Sequence, residues 1–124
     1  FQKFDLIIID DVLSWIDRSV ILSTLAVVDW MLKPKGIVFL RDFSPPTPFA
    51  LKNHHWKKEK IYNFKQGYGH KKILLETGKY IEISNHVRST SKYQKINTKN
   101  KMLTIWSDSI IKKIEDFTHP ILKL

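Results

Sequence analysis

The 124-residue chain contains no cysteine. That excludes a disulfide framework and a thiolate metal site, and it fits a reducing compartment such as the cytoplasm. Glycine is nearly as scarce, with four residues at 36, 67, 69 and 78. None stands between an apolar strand and a helix start, so there is no glycine-rich loop of the kind that lets a backbone close on a phosphate or a nucleotide. Arginine, the residue suited to bidentate phosphate and base contacts, occurs only at 18, 41 and 88. No apolar run approaches the roughly 18 residues of a membrane span. The start has neither the basic and then apolar regions of a signal peptide nor an initiator methionine.

What is present is a chain of one domain's length, 43% hydrophobic, able to bury a core. Its net charge of +9 is unevenly spread. Residues 1–50 carry five Lys/Arg against six Asp/Glu, and residues 51–124 carry 16 against six. A basic half points to nucleic acid, an anionic surface or an acidic substrate. Because 18 of the 21 basic residues are lysine, solvated lysine faces account for it more simply.

Hydrophobic patterning organises the chain. Residues 4–9, with the run Leu6-Ile7-Ile8-Ile9, read as a short parallel strand covered on both faces. Asp17 is a plausible N-cap, and Ile21, Leu25, Val28 and Leu32 recur at helical spacing. The helix is expected to stop at Lys33-Pro34-Lys35-Gly36, and a second apolar run, Ile37–Leu40, ends at Arg41-Asp42. Strand, helix and strand with short connections make a βαβ unit. Pro45, Pro46 and Pro48 then break regular structure, and residues 49–68 read as a loop-rich aromatic and basic stretch. Residues 70–78 read as a short helix with a glycine C-cap, 79–87 as a strand, 88–101 as an exposed loop, 102–106 as a strand and 109–115 as a short helix.

The stretch Phe4 to Phe43 resembles the second half of a class I S-adenosylmethionine-dependent methyltransferase. In that family the fourth strand opens with Phe-Asp, runs apolar, and ends in acidic residues followed by Val-Leu. A helix then leads to an LKPGG turn and the fifth strand. Here Phe4-Asp5, Asp10-Asp11, Val12-Leu13 and Leu32-Lys33-Pro34-Lys35-Gly36 match. Lys35 departs from the pattern, leaving Gly36 to make the turn. The resemblance implies an α/β, Rossmann-like three-layer fold with S-adenosylmethionine as cofactor, a parallel βαβ unit first and an antiparallel strand pair near the end. The family's glycine-rich cofactor turn has no counterpart, so the chain is expected to be the carboxyl-terminal half of the domain. Residues 1–43 are then the βαβ unit, 44–69 a substrate-loop region, and 70–124 the helix and terminal strand pair.

The same resemblance places Ile9, Asp10, Asp11 and Val12 against the cofactor, with Asp10 at its methionine end and the transferring methyl; Asp11 otherwise points away or caps, and Val12 is otherwise a core valine. A carboxylate there would attract a sulfonium or orient a substrate hydroxyl, although a strand-end aspartate also caps turns. Asp42 either faces the substrate or pairs with Arg41. His54-His55 offers a general base, since histidine can take a hydroxyl proton near neutral pH; a solvated loop pair is the alternative. Tyr62, Phe64 and Tyr68 either wall a substrate pocket or pin the loop to the core. Gly67-Tyr68-Gly69 reads as a turn, and no residue spacing indicates a metal site. The expected activity is methyl transfer to a small molecule, such as a sugar hydroxyl. The alternatives are a nucleic-acid methyltransferase, which would lack the family's base-methylation motif here, and a non-catalytic basic binding module.

Overall fold

Two apolar segments set the frame. In the computed structural model, which describes residues 2–53, 55, 58, 62–89 and 105–114, β1 (Phe4–Asp10) and β2 (Leu32–Phe43) pair in parallel. Ile7 lies opposite Val38, Ile9 opposite Leu40 and Asp10 opposite Arg41. Between the strands, 3-10 turns at Leu13–Trp15 and Arg18–Val20 lead into α1 (Ile21–Met31). Asp17 caps the second turn, accepting from the Ser19 amide at 2.8 Å and the Ser19 hydroxyl at 2.7 Å. The expected cap therefore acts one turn ahead of the helix proper.

Residues 33–36 are not a separate linker but the first part of β2. They form an irregularity that shifts the register between Phe4 and Leu6. Lys35, not Gly36, takes the left-handed conformation, at φ 64°, which costs a residue with a Cβ about 1–2 kcal/mol. Gly36 is required for another reason. A Cβ there would lie 2.7 Å from both the Leu32 side chain and the Lys33 carbonyl.

The sheet continues with β5 (Tyr80–Ser89) and β6 (Ile105–Lys113) in the order β1-β2-β6-β5, with β6 antiparallel to both neighbours. The parallel-then-antiparallel architecture is as the sequence implied, but the last elements differ from expectation. Of the strand expected at 102–106 the described part, from Ile105, continues to Lys113, and the helix expected from Ser109 is strand up to Lys113. Ser107, Ser109, Ile111 and Lys113 alternate inward with period two, and two serines and a lysine conceal that pattern. Residues 90–104 and Glu115 lie outside the described residues.

β1 is parallel as expected but is not covered on both faces. It is the sheet's edge, and Leu6 and Ile8 on its second face are 52% and 64% exposed. Its other face joins the core: Ile9, Val38, Leu40 and Ile111 pack with Ile21 and Leu25 of α1 and with Leu74 of α2 (Lys71–Glu76). α2 is the expected short helix, followed by Gly78 at φ 74°.

The stretch 49–68 holds more order than a loop. β3 (Phe49–Lys52) and β4 (Tyr62–Lys65) form a separate antiparallel pair, Phe49 opposite Lys65 and Lys52 opposite Tyr62. Turn residues Tyr68 and Gly69 both take positive φ, and Gly69 passes so close to β2 that a Cβ would sit 3.2 Å from the Phe43 carbonyl. The glycine pair is thus a turn, as read from the sequence.

Candidate functional site

β1 and β2 end side by side, so the parallel register brings Asp10-Asp11 against Arg41-Asp42 at the carboxyl edge of the sheet. In open α/β sheets that edge is where ligands bind. The four residues do different things there.

Asp10 is exposed and meets Arg41 Nη1 at 3.3 Å. Arg41 also donates through Nε to Asp108 at 2.8 Å, and Arg88 joins Asp108 at 3.1 Å. Burial would raise the Asp108 carboxyl, but the two guanidinium groups outweigh it and hold it below the ordinary range. Arg41 therefore does not pair with Asp42, and that explanation of Asp42 is overturned. Strand alternation turns Arg41 to one face and Asp42 to the other.

Asp42 points inward and is 1% exposed. Its Oδ1 accepts from the Ser14 hydroxyl and from the Phe43 amide at 2.8 Å. Its Oδ2 accepts from the His70 amide at 3.2 Å and meets the His70 ring at Nδ1. Since an ionised carboxylate only accepts, Nδ1 carries the proton in that contact. One carboxylate thereby joins the turn after β1, the end of β2 and the start of α2. Gly69 permits the chain to pass close enough for this.

Asp11 lies in the left-handed region at φ 52°. Its amide donates to the Arg41 carbonyl at 3.0 Å. Burial holds its carboxyl above the usual range, against the hydrogen bond from Trp15 and the charge of Lys65. Its Oδ1 is buried with no hydrogen-bond donor among the described residues. Ile9 is buried in the core, and Val12 is exposed beside the strand end.

β4 closes the cluster from the side. Its buried face carries Asn63, 6% exposed, and Lys65, 1% exposed. Asn63 donates through Nδ2 to the Ser14 carbonyl at 3.3 Å, and its Oδ1 has no donor among the described residues. The Lys65 ammonium lies 3.9 Å from the centre of the Phe43 ring and 4.8 Å from that of Trp15. Burial pushes the lysine down from its ordinary pKa, against the pull of Asp11 and Asp42. Beside this cluster a hollow of about 210 Å³ opens between Arg18, Phe64, Gln66, His70 and Ile73.

The aromatic residues of the substrate-loop region divide. Tyr62 and Tyr68 are exposed, while Phe64 is half-buried under the Arg18 guanidinium, 4.0 Å from its ring centre. His55 is exposed, its amide donating to Asn53 Oδ1 at 2.9 Å and its ring 5.6 Å from Trp15. His54 lies outside the described residues. The structure thus gathers Asp10, Asp11 and Asp42 at one edge and sets His55 near it through Trp15.

Ser14, Asn63, Lys65 and His70 were not indicated by the sequence. A serine and an asparagine near a strand end are common, and a lysine in a basic stretch reads as solvated. The one usable signal was the Asn63-Phe64-Lys65 alternation after an exposed tyrosine. Three lysines of the basic half are used internally. Besides Lys65, Lys71 pairs with Glu82 at 2.8 Å and Lys113 is buried under α1. Among the described residues no helix is long and apolar enough to cross a membrane.

No protein-family profile and no curated protein sequence matches the chain. Solved structures do match it. The chain is similar to the 1,6-didemethyltoxoflavin-N1-methyltransferase of Burkholderia thailandensis, solved with 1,6-didemethyltoxoflavin and S-adenosylhomocysteine. The TM-score is 0.65 at 13% identity, over 92% of this chain and 45% of that one. It is also similar to the N-methyltransferase NodS of Bradyrhizobium japonicum WM9 with S-adenosylhomocysteine, with a TM-score of 0.57 at 15% identity over 92% and 48%. A third match is a SAM-dependent methyltransferase of Methanosarcina mazei, at 0.62 and 13% over 93% and 61%. The chain therefore has the class I methyltransferase fold, and it spans about half the length of the first two structures it matches.

Proposed function

We propose that the chain is the carboxyl-terminal part of an S-adenosylmethionine-dependent methyltransferase domain, acting on a small molecule with an O–H or N–H acceptor. The supporting observation is the adjacency of the Asp10-Asp11 and Arg41-Asp42 strand ends in a sheet of order β1-β2-β6-β5. β1 stands at the end of the sheet, where a further parallel strand would pair with it, and Leu6 and Ile8 on its second face are what a crossover helix would cover.

The residues present fit one side of the cofactor. Asp10 offers an exposed carboxylate to a cationic group, and its pairing with Arg41 is a surface ion pair of small worth. Ile9 and Asp11 give main-chain shape to the strand end, and Val12 an apolar surface. Bound S-adenosylmethionine would supply the activated methyl. This chain's part is to place the acceptor in line and to manage its proton. Asp42 is a positioning residue, holding the substrate-loop region to the strand ends through Ser14 and His70. Tyr62, Tyr68 and the His54-His55 pair belong to the acceptor side of this reading, a sugar hydroxyl being one acceptor and the cytoplasm the expected compartment. Nucleic acid is the less favoured partner, because lysines of the basic half are spent inside the fold.

The test is calorimetric titration of S-adenosylhomocysteine into a protein that carries the residues encoded before Phe1. Binding is expected, weakened about tenfold by Asp10→Asn, a loss of about 1.4 kcal/mol. The 124-residue chain alone should bind at least a hundredfold more weakly than the longer protein. No heat from the longer protein would overturn the reading.

A further inference from the structure

The cluster at the end of β1 leaves two buried oxygens, Asp11 Oδ1 and Asn63 Oδ1, without a hydrogen-bond partner among the described residues. Asn63 and Lys65 sit two apart on β4 and share its buried face. The Ser14 carbonyl accepts from Asn63 Nδ2, which fixes the amide and leaves Oδ1 without a donor among the described residues. Asp11 Oδ1 is likewise buried without one. Lys65 Nζ, which carries protons that either oxygen would accept, lies instead on the faces of Phe43 and Trp15. Buried polar groups are almost always paired, so two orphan acceptors beside a buried lysine point to a ligand that supplies donors.

We propose that Lys65 is the proton acceptor for the methyl-accepting group, and that Asn63 and Asp11 hold the same small molecule by its other N–H or O–H bonds. This rests on the methyltransferase reading, with a sulfonium methyl donor as co-reactant. As the acceptor's heteroatom forms its bond to the methyl carbon, the carbon–sulfur bond breaks and its electron pair stays on sulfur as a neutral thioether. Lys65 takes the acceptor's proton on its lone pair, becoming an ammonium and later losing the proton to solvent. One positive charge enters the step on sulfur and leaves on nitrogen.

The surroundings suit both forms of the lysine. Burial favours the neutral amine that can accept a proton. The charged groups facing it are Asp11 from the turn after β1 and Asp42 from β2, with His70 at the start of α2 acting through Asp42. These carboxylates and the two ring faces stabilise the ammonium as it forms. The site selects small acceptors with an N–H or O–H and gives an ether or thioether no partner.

The experiment follows lysine side-chain NMR signals of isotope-labelled chain against pH, with Lys65→Met to assign the signal. One signal, absent from the variant, should titrate below the roughly 10.4 of ordinary lysines. Titration of Lys65 together with the others would overturn the proposal. Stability gives a second readout. With its folded value lowered, Lys65 makes the wild type more stable as pH rises from that value towards 10.4. Lys65→Met should therefore melt higher than wild type at pH 7, with the gain shrinking by pH 10. A variant that melts lower by the same amount at both pH values would mark Lys65 as a structural cation only. In the longer protein, Lys65→Met should bind S-adenosylhomocysteine within about twofold of wild type, because the lysine serves the acceptor. Failure of the wild type to bind would sink the methyltransferase reading, whereas normal binding with an ordinary Lys65 titration would sink only this proposal.

Discussion

Replacing Asp42 with alanine should cost about 3–5 kcal/mol, because several donors lose one buried acceptor at once. Four groups donate to this carboxylate: the Ser14 hydroxyl, the Phe43 amide, and the amide and ring of His70. The Ser14 and His70 groups are left buried without this acceptor and the Phe43 amide half-buried, and a lone buried donor costs about 1–3 kcal/mol. Because a domain's whole stability is about 5–15 kcal/mol, this is a large share of it. Urea unfolding should show the midpoint falling by about 2 M at an unchanged slope of about 2 kcal/mol per molar. Ser14→Ala removes a single donor and should cost about 1 kcal/mol. An Asp42→Ala midpoint within about 0.5 M of wild type would mean that the network does not hold the strand ends together.

Lys113→Met should cost about 2–4 kcal/mol even though methionine keeps the shape of the stem. Lys113 is 2% exposed and crosses from β6 to the end of α1. Its Nζ donates to the Asp29 carbonyl at 2.6 Å and the Leu32 carbonyl at 3.2 Å, and lies 3.2 Å from the Asp29 carboxylate. A helix end leaves its last carbonyls without intrahelical donors, and this ammonium serves as their cap. The Asp29 carboxylate also accepts from Lys79 Nζ and Tyr80 Oη, both at 2.7 Å. Burial raises its pKa, but these hydrogen bonds together outweigh burial and hold it below the ordinary value. A depressed folded value means that Asp29 contributes stability above the unfolded value of about 3.9, lost as pH falls through the folded one. Acid unfolding of Lys113→Met should therefore be less steep below about pH 4 than that of wild type, because part of the depression is gone. A Lys113→Met chain as stable as wild type would show that the carbonyls find other donors.

How much of this was legible depends on whether a residue's role is local. The strand–helix–strand of β1, α1 and β2 could be read because apolar period and turn residues are local signals. The same holds for α2 with Gly78. β6 was misread because a central strand may bury Ser107, Ser109 and Lys113 when a neighbour satisfies them, as Asn85 does for Ser109 at 3.0 Å. Only the tertiary structure supplies that neighbour. Lys35 was read as displacing the turn onto Gly36, yet the backbone keeps its left-handed residue at position 35 and tolerates a lysine there. At the site, Asp10 and Asp11 were legible because an apolar run ended on them. Their separation into an exposed ion pair and a buried orphan acceptor was not, since it follows from the left-handed φ of Asp11 and from β4 packing beside it. Asp42 was noticed for its neighbour Arg41, but alternation sends the two to opposite faces. Lys65 and His70 owe their roles to partners that lie far from them in sequence: Asp11 and Trp15 for the lysine, Asp42 for the histidine.

The central claim is that the carboxyl end of β1 is one wall of a cofactor site. Amide NMR of the longer protein, isotope-labelled and titrated with S-adenosylhomocysteine, tests it most directly. The largest shifts within this chain should fall at Ile9, Asp10, Asp11 and Val12, with smaller ones at Asp42 and Phe43 and none along Lys71–Glu76. Saturable binding whose shifts avoid residues 9–12 would contradict the claim.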